Sequence, residues 1–182
     1  PIIDAVLLPR YYLISPKFST FEAALSFVDR AVAAGFTHIQ FRQHQLDDRD
    51  YVVWASALYD AFASASSEVC LIWNRRIDVL LELPQTAWHL SSVAAQEFLL
   101  KTGIDRPRIV GMSCHNEAEL DLAQRIGVSY ALLSPVKATQ SHPDVLGMGF
   151  EKFAELIATA AFPVYALGGM EQGDLDAALS AG

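Results

Sequence analysis

The sequence predicts a parallel (β/α)₈ barrel, lacking its eighth strand and helix in this sequence, and three observations carry that expectation. Short apolar runs alternate seven times with helix-like stretches, a rhythm that implies parallel strands joined by right-handed crossovers. Polar residues gather just past the apolar runs, at ends that parallel pairing would bring to one rim. The main competitor, a dinucleotide-binding open sheet, is weakened because no G-x-G-x-x-G follows the first strand. Residues 1–10 read as a lead-in or interdomain junction, and residues 11–182 as the barrel domain.

The elements follow in order. Tyr11–Ile14 is a first strand. Ser19 or Thr20 caps a helix to about Ala34, with Phe21, Ala24, Leu25, Val28 and Val32 on its apolar face, and Gly35 ends it. In the second strand, 38–42, alternation puts His38, Gln40 and Arg42 on one face and Ile39 and Phe41 on the other. Asp47 or Asp48 opens the second helix, which carries Tyr51, Val52, Ala55, Leu58, Tyr59 and Phe62. A third strand, 69–73, ends at Asn74, and a short helix, 77–83, stops before Pro84. The fourth strand is 88–90 with a helix over 94–101, and the fifth is 109–113. Asn116 and Glu119 form a capping-box pattern for the fifth helix, which ends at Gly127. The sixth strand is 130–133, followed by a helix over 150–160. The seventh is 164–167, followed by Gly168-Gly169 and a helix over 172–181.

Composition narrows the function classes. At 52% apolar and 19% charged, the chain is a folded globular domain rather than a disordered one. A net charge of −8 argues against nucleic acid or anionic membrane as a partner through bulk charge. No segment reaches the ~20 apolar residues that span a bilayer. Asp4, Pro9 and Arg10 spoil the apolar N-terminus as a signal peptide, so a cytoplasmic location is expected. Cys70 and Cys114 lie in strand-like runs and read as free buried thiols.

The candidate site residues sit at strand ends: Arg42, Asn74, Ser113 with His115, Ser134, and Gly168-Gly169. Arg42 could instead pair with a helix carboxylate, Asn74 could cap the short third helix, and His115 could be a solvated loop residue. His89, inside a strand, reads as a core histidine. The long stretch Ser134–Gly149 holds Lys137, Thr139, Ser141 and His142 and reads as a lid over an anion. Two glycines at a strand end let backbone N–H groups approach a phosphate, although a tight turn needs them equally. No His, Asp or Glu set has metal-ligand spacing, so no metal-ligating residue is assigned, and no G-x-S-x-G elbow marks a hydrolase.

Taken in order, YLIS (12–15), HIQFRQH (38–44), LIWNRRIDVLL (71–81), WHLSS (88–92), GMSCHNEAEL (111–120), SYALLSPVKATQSHP (129–143) and PVYALGGM (163–170) resemble thiamine phosphate synthase and its TenI-type relatives. The resemblance implies a (β/α)₈ fold and the coupling of hydroxymethylpyrimidine diphosphate with thiazole phosphate through a pyrimidine cation. It implies that Gln40, Arg42, His44, Asn74 and Arg75 hold the pyrimidine diphosphate, with Arg42 and Ser113 acting in the transfer. Thr139, Ser141, His142, Gly168 and Gly169 would hold the thiazole phosphate.

The chain departs from that pattern in several places. His44 and His142 stand where the family has lysines, and Arg75 and Val93–Ala94 where it has the aspartates that bind Mg²⁺. Mg²⁺ is thus expected from the family, while its ligands are missing here. Pro135 stands where the TenI-type tautomerase has its histidine. The SHP and GGM sequences are most similar to a TenI-like barrel fused behind a Nudix hydrolase, which makes an upstream Nudix-type domain or a homo-oligomer the expected macromolecular partner. The alternative to a transferase is a non-catalytic or regulatory domain that binds a phosphorylated thiazole or pyrimidine, and a third reading is a structural fusion partner.

Overall fold

A computed structural model describes residues 8–62, 68–139 and 145–182. Ser141 and His142 lie outside these residues. The described residues pack into two compact units, those within 8–89 with 103–109, and those within 90–102 with 110–182.

In the first unit the strands are β1 (Leu13–Ile14), β2 (His38–Phe41), β3 (Cys70–Trp73) and most of β4 (Ala87–Leu90). They pair in parallel in chain order, with Ile14 beside Gln40, Gln40 beside Ile72, and Trp73 beside Trp88. The helices are α1 (Phe21–Ala33), α2 (Asp48–Phe62) and α3 (Ile77–Leu80). Thr20 caps α1 through its hydroxyl, which accepts the Ala23 N–H at 3.2 Å. Asp47 starts α2 by accepting the Asp50 N–H at 2.7 Å. Strand alternation turns Ile39 and Phe41 to the helices. Phe41 meets Tyr51 of α2 at 5.0 Å between ring centroids and Trp73 edge-on at 6.3 Å. Tyr51, Trp73 and Leu58 are buried completely.

The second unit holds β5 (Ile109–Cys114, all but its first residue), β6 (Tyr130–Leu133) and β7 (Val164–Ala166). These are again parallel, with Ser113 beside Leu132 and Leu133 beside Ala166. Its helices are α4 (Ser92–Leu100), α5 (Glu117–Ile126), α6 (Gly149–Ile157) and α7 (Leu175–Ala181), the last preceded by a 3₁₀ turn at Gln172–Asp174. Gly111 has a structural reason to be glycine, because a Cβ there would run into the Tyr130 ring. Strands and helices appear where the apolar runs place them, and most ends shift by one to three residues as terminal hydrogen bonds fray.

One local expectation is corrected. Asn116 does cap α5, accepting the Glu119 N–H at 3.0 Å. The reciprocal half of the box is absent, because the Glu119 carboxylate reaches past the cap to His115, accepting its backbone N–H at 2.7 Å.

Candidate functional site

The first unit's rim is built on the ends of β1, β2 and β3. Gln40 is buried and donates from Nε2 to the Tyr12 hydroxyl at 2.7 Å. Arg42 lies one residue beyond β2 with an exposed side chain. Among the described residues it forms no ion pair, so the expected alternative of a helix carboxylate partner does not hold. Its backbone N–H donates to the Ser15 hydroxyl at 2.9 Å. Asn74 is buried and does not cap α3, whose first flanking residue is Arg76. Instead its Nδ2 donates to the His89 carbonyl at 2.9 Å.

Arg75 is the most constrained member. Its guanidinium lies 4.4 Å from the centroid of the Tyr51 ring and donates to the Gln43 and Leu46 carbonyls at 3.0 and 2.7 Å. Its Nε is buried without an acceptor among the described residues. The Tyr51 hydroxyl donates to the Phe41 carbonyl and accepts the Asn74 N–H, so one buried tyrosine ties the end of β2 to the end of β3. Burial raises its pKa and keeps it a neutral bridge. Partial burial lowers the pKa of His44, and the charges of Arg42, Arg75 and Lys17 lower it further.

The second unit's rim carries Ser113, Ser134, Thr139, Gly168 and Gly169, each half-buried except the exposed Gly169. Two loops interlock here. Val136 and Lys137 donate their N–H groups to the Leu167 and Gly168 carbonyls at 2.8 and 3.0 Å. Gly168 and Gly169 take φ of 96° and 61°, and a Cβ on either would meet Pro135 Cα at 2.7 Å or Ala138 O at 2.5 Å. The tight-turn reading of this glycine pair holds. They allow the close loop packing, and their own N–H groups meet no acceptor among the described residues. Lys137 Nζ pairs with Asp174 at 2.9 Å, and Asp174 also accepts the Glu171 N–H.

His115 is half-exposed, with Nδ1 2.8 Å from Glu119 Oε2, so it is bonded rather than simply solvated. His89 is fully buried, as expected of a core histidine. Both cysteines are free, Cys114 buried and Cys70 half-buried. Burial pushes their thiols up to about 12 and about 11, which makes them poor nucleophiles.

Sequence reasoning missed Gln43, Tyr51 and Asp174. Gln43 has no exposed surface, and Tyr51 was read only as part of an apolar helix face. The signal for Gln43 was parity, since alternation from Arg42 turns it away from the solvent-facing side.

The described residues do not fit a Mg²⁺ ion held by protein carboxylates. No three His, Cys, Asp or Glu side chains cluster among them. Arg75 fills the β3 position with a cation, and Val93 and Ala94 bring no donor.

Parallel strands alternating with helices, with polar residues at the strand ends, define an α/β protein. The model of the thiamine monophosphate synthase (TMP-TENI) family matches residues 11–182, and the chain belongs to that family. It is 28% identical over 163 residues to a putative thiamine-phosphate synthase 2 of Aquifex aeolicus, covering 90% of this chain and 86% of that relative. It is 29% identical over 175 residues to a thiamine-phosphate synthase of Albidiferax ferrireducens, covering 95% and 79%. The fold matches a solved structure of thiamine phosphate pyrophosphorylase from Pyrococcus furiosus with a TM-score of 0.72 at 20% identity, over 95% of this chain and 82% of that one. The fold is thus TIM-like. Among the described residues no helix is long and apolar enough to cross a membrane.

Proposed function

We propose that this chain binds phosphorylated precursors of thiamine, hydroxymethylpyrimidine diphosphate at the first unit's rim and thiazole phosphate at the second's. The observation that supports this best is the set of amide and cationic groups at the ends of β2 and β3. Gln40, Asn74 and the anchored Arg75 are packed into place beside Arg42 and His44. In this reading Arg42, His44 and Arg75 face the diphosphate, while Gln40 and Asn74 orient the pyrimidine. Thr139, Ser141 and His142 take the thiazole phosphate together with the N–H groups of Gly168 and Gly169. The names of the relatives support thiamine phosphate formation as the reaction, with Ser113 and Arg42 assisting the transfer. There the pyrimidine C–O bond breaks, pyrophosphate leaves with the bonding pair, and the thiazole nitrogen's lone pair forms the new C–N bond.

The second reading is binding without turnover, and the fixed position of Arg75 favours it. Two of the guanidinium's bonds already go to loop carbonyls, so it has little freedom to follow a departing pyrophosphate. A coupling assay with both precursors separates the two readings, using Arg42→Ala as control. Thiamine phosphate formed above that control supports the transferase. Thermal stabilisation by either precursor without product supports the binding domain, and neither effect refutes the proposal.

A further inference from the structure

The first unit's rim carries positive charge that its own fold holds in place. Gln43 is the fixture. Its Nε2 donates to the Ser15 hydroxyl and the Pro16 carbonyl, and its Oε1 accepts from the Phe18 N–H and from Gln45 Nε2. Three of these bonds pin residues 15–18, which carry Lys17, beside residues 42–45, which carry Arg42 and His44. Arg75 supplies a further attachment, reaching the Gln43 and Leu46 carbonyls from the end of β3. Four cationic or protonatable groups from three strand ends therefore share one rim.

Lys17, Arg42 and Arg75 form no ion pair among the described residues. The nearby Asp48 pairs with Arg76 at 2.6 Å. That the hub is an amide matters. A carboxylate at Gln43 would cancel one of these charges and would set oxygen against the Pro16 carbonyl, where Nε2 now donates. Partial burial lowers the pKa of His44 most, and the charges of Arg42, Arg75 and Lys17 lower it further, as neighbours on one rim would. Among the described residues the buried Nε of Arg75 also has no acceptor. A divalent cation is repelled from such a rim, and a polyanion is drawn to it.

We infer that this rim binds a phosphate or diphosphate directly, without a divalent cation, with Gln43 as the positioning residue that gathers Lys17, Arg42 and His44 and with Arg75 as the anchored cation. The inference rests on the reading of this rim as a phosphate site. Calorimetric titration of inorganic pyrophosphate into the whole protein tests it, first in EDTA and then in excess Mg²⁺. Saturable binding in EDTA is expected, with no gain from Mg²⁺. Gln43→Glu should weaken it about tenfold through the added charge and the lost donors. Because Gln43 is buried, the exposed Lys17→Ala serves as the second variant and should weaken binding about threefold at an unchanged Tm. Binding that requires Mg²⁺ overturns the inference and leaves the phosphate site standing. Binding in neither condition overturns both. Metal-free binding that neither variant changes overturns the role given to Gln43 and the cationic rim.

Discussion

At the scale of single residues, the first unit's rim depends on groups that do not touch its solvent-facing side. Tyr51 is the clearest case, with its hydroxyl bonded to Phe41 O at 2.7 Å and to Asn74 N at 3.0 Å. Tyr51→Phe keeps the ring under Arg75 but strands a buried carbonyl and a buried N–H. Urea unfolding should show a loss of about 2–4 kcal/mol at these two sites. Gly168→Ala places a Cβ against Pro135 at a φ of 96°, and a loss of about 1–3 kcal/mol is expected by the same method. Much of the candidate site was legible at this scale. Gln40, Arg42 and Asn74 announced themselves as polar residues at the ends of apolar strands. Gln43 and Tyr51 did not, because their importance lies in which carbonyl and amide groups of other loops they reach. Spacing along one element carries no such information.

At the scale of elements, the sequence was most informative where a local rule acts alone. Alternation in 38–42 set which residues of β2 face the helices, and the cap residues Thr20 and Asn116 both accept the N–H groups that end-of-helix chemistry assigns them. Asn116→Ala should destabilise the second unit by about 1 kcal/mol in thermal or urea unfolding. Glu119 shows where the local rule gave way. Its carboxylate had two donors within reach on His115, the backbone N–H and the ring nitrogen, against one on Asn116. The ends of helices and strands were the least legible feature, since they depend on packing from other elements. The helix expected over 172–181 begins as a 3₁₀ turn because Asp174 folds back to the Glu171 N–H and is held there by Lys137.

For the molecule as a whole, acid stability follows from the buried His89. Burial, reinforced by the Arg42 charge, lowers its pKa from 6.5 to about 3. The unfolded chain takes up this proton below about 6.5, while the folded chain refuses it until about 3. Stability is therefore fully present above the unfolded value and declines as pH falls through that window, by an amount on the order of 5 kcal/mol. His89→Gln should flatten this acid limb, as read from urea midpoints at pH 7.5 and 5. The alternation of strands and helices made the TIM-like fold legible from sequence, and the match over residues 11–182 agrees with it. Activity was less legible, because the fold alone does not say which rim residues meet a substrate. The most direct measurement is calorimetry of hydroxymethylpyrimidine diphosphate and of thiazole phosphate, each titrated into the protein at pH 7.5. The account predicts saturable heat and a raised Tm for at least one of them. No heat and no thermal shift with both would contradict it.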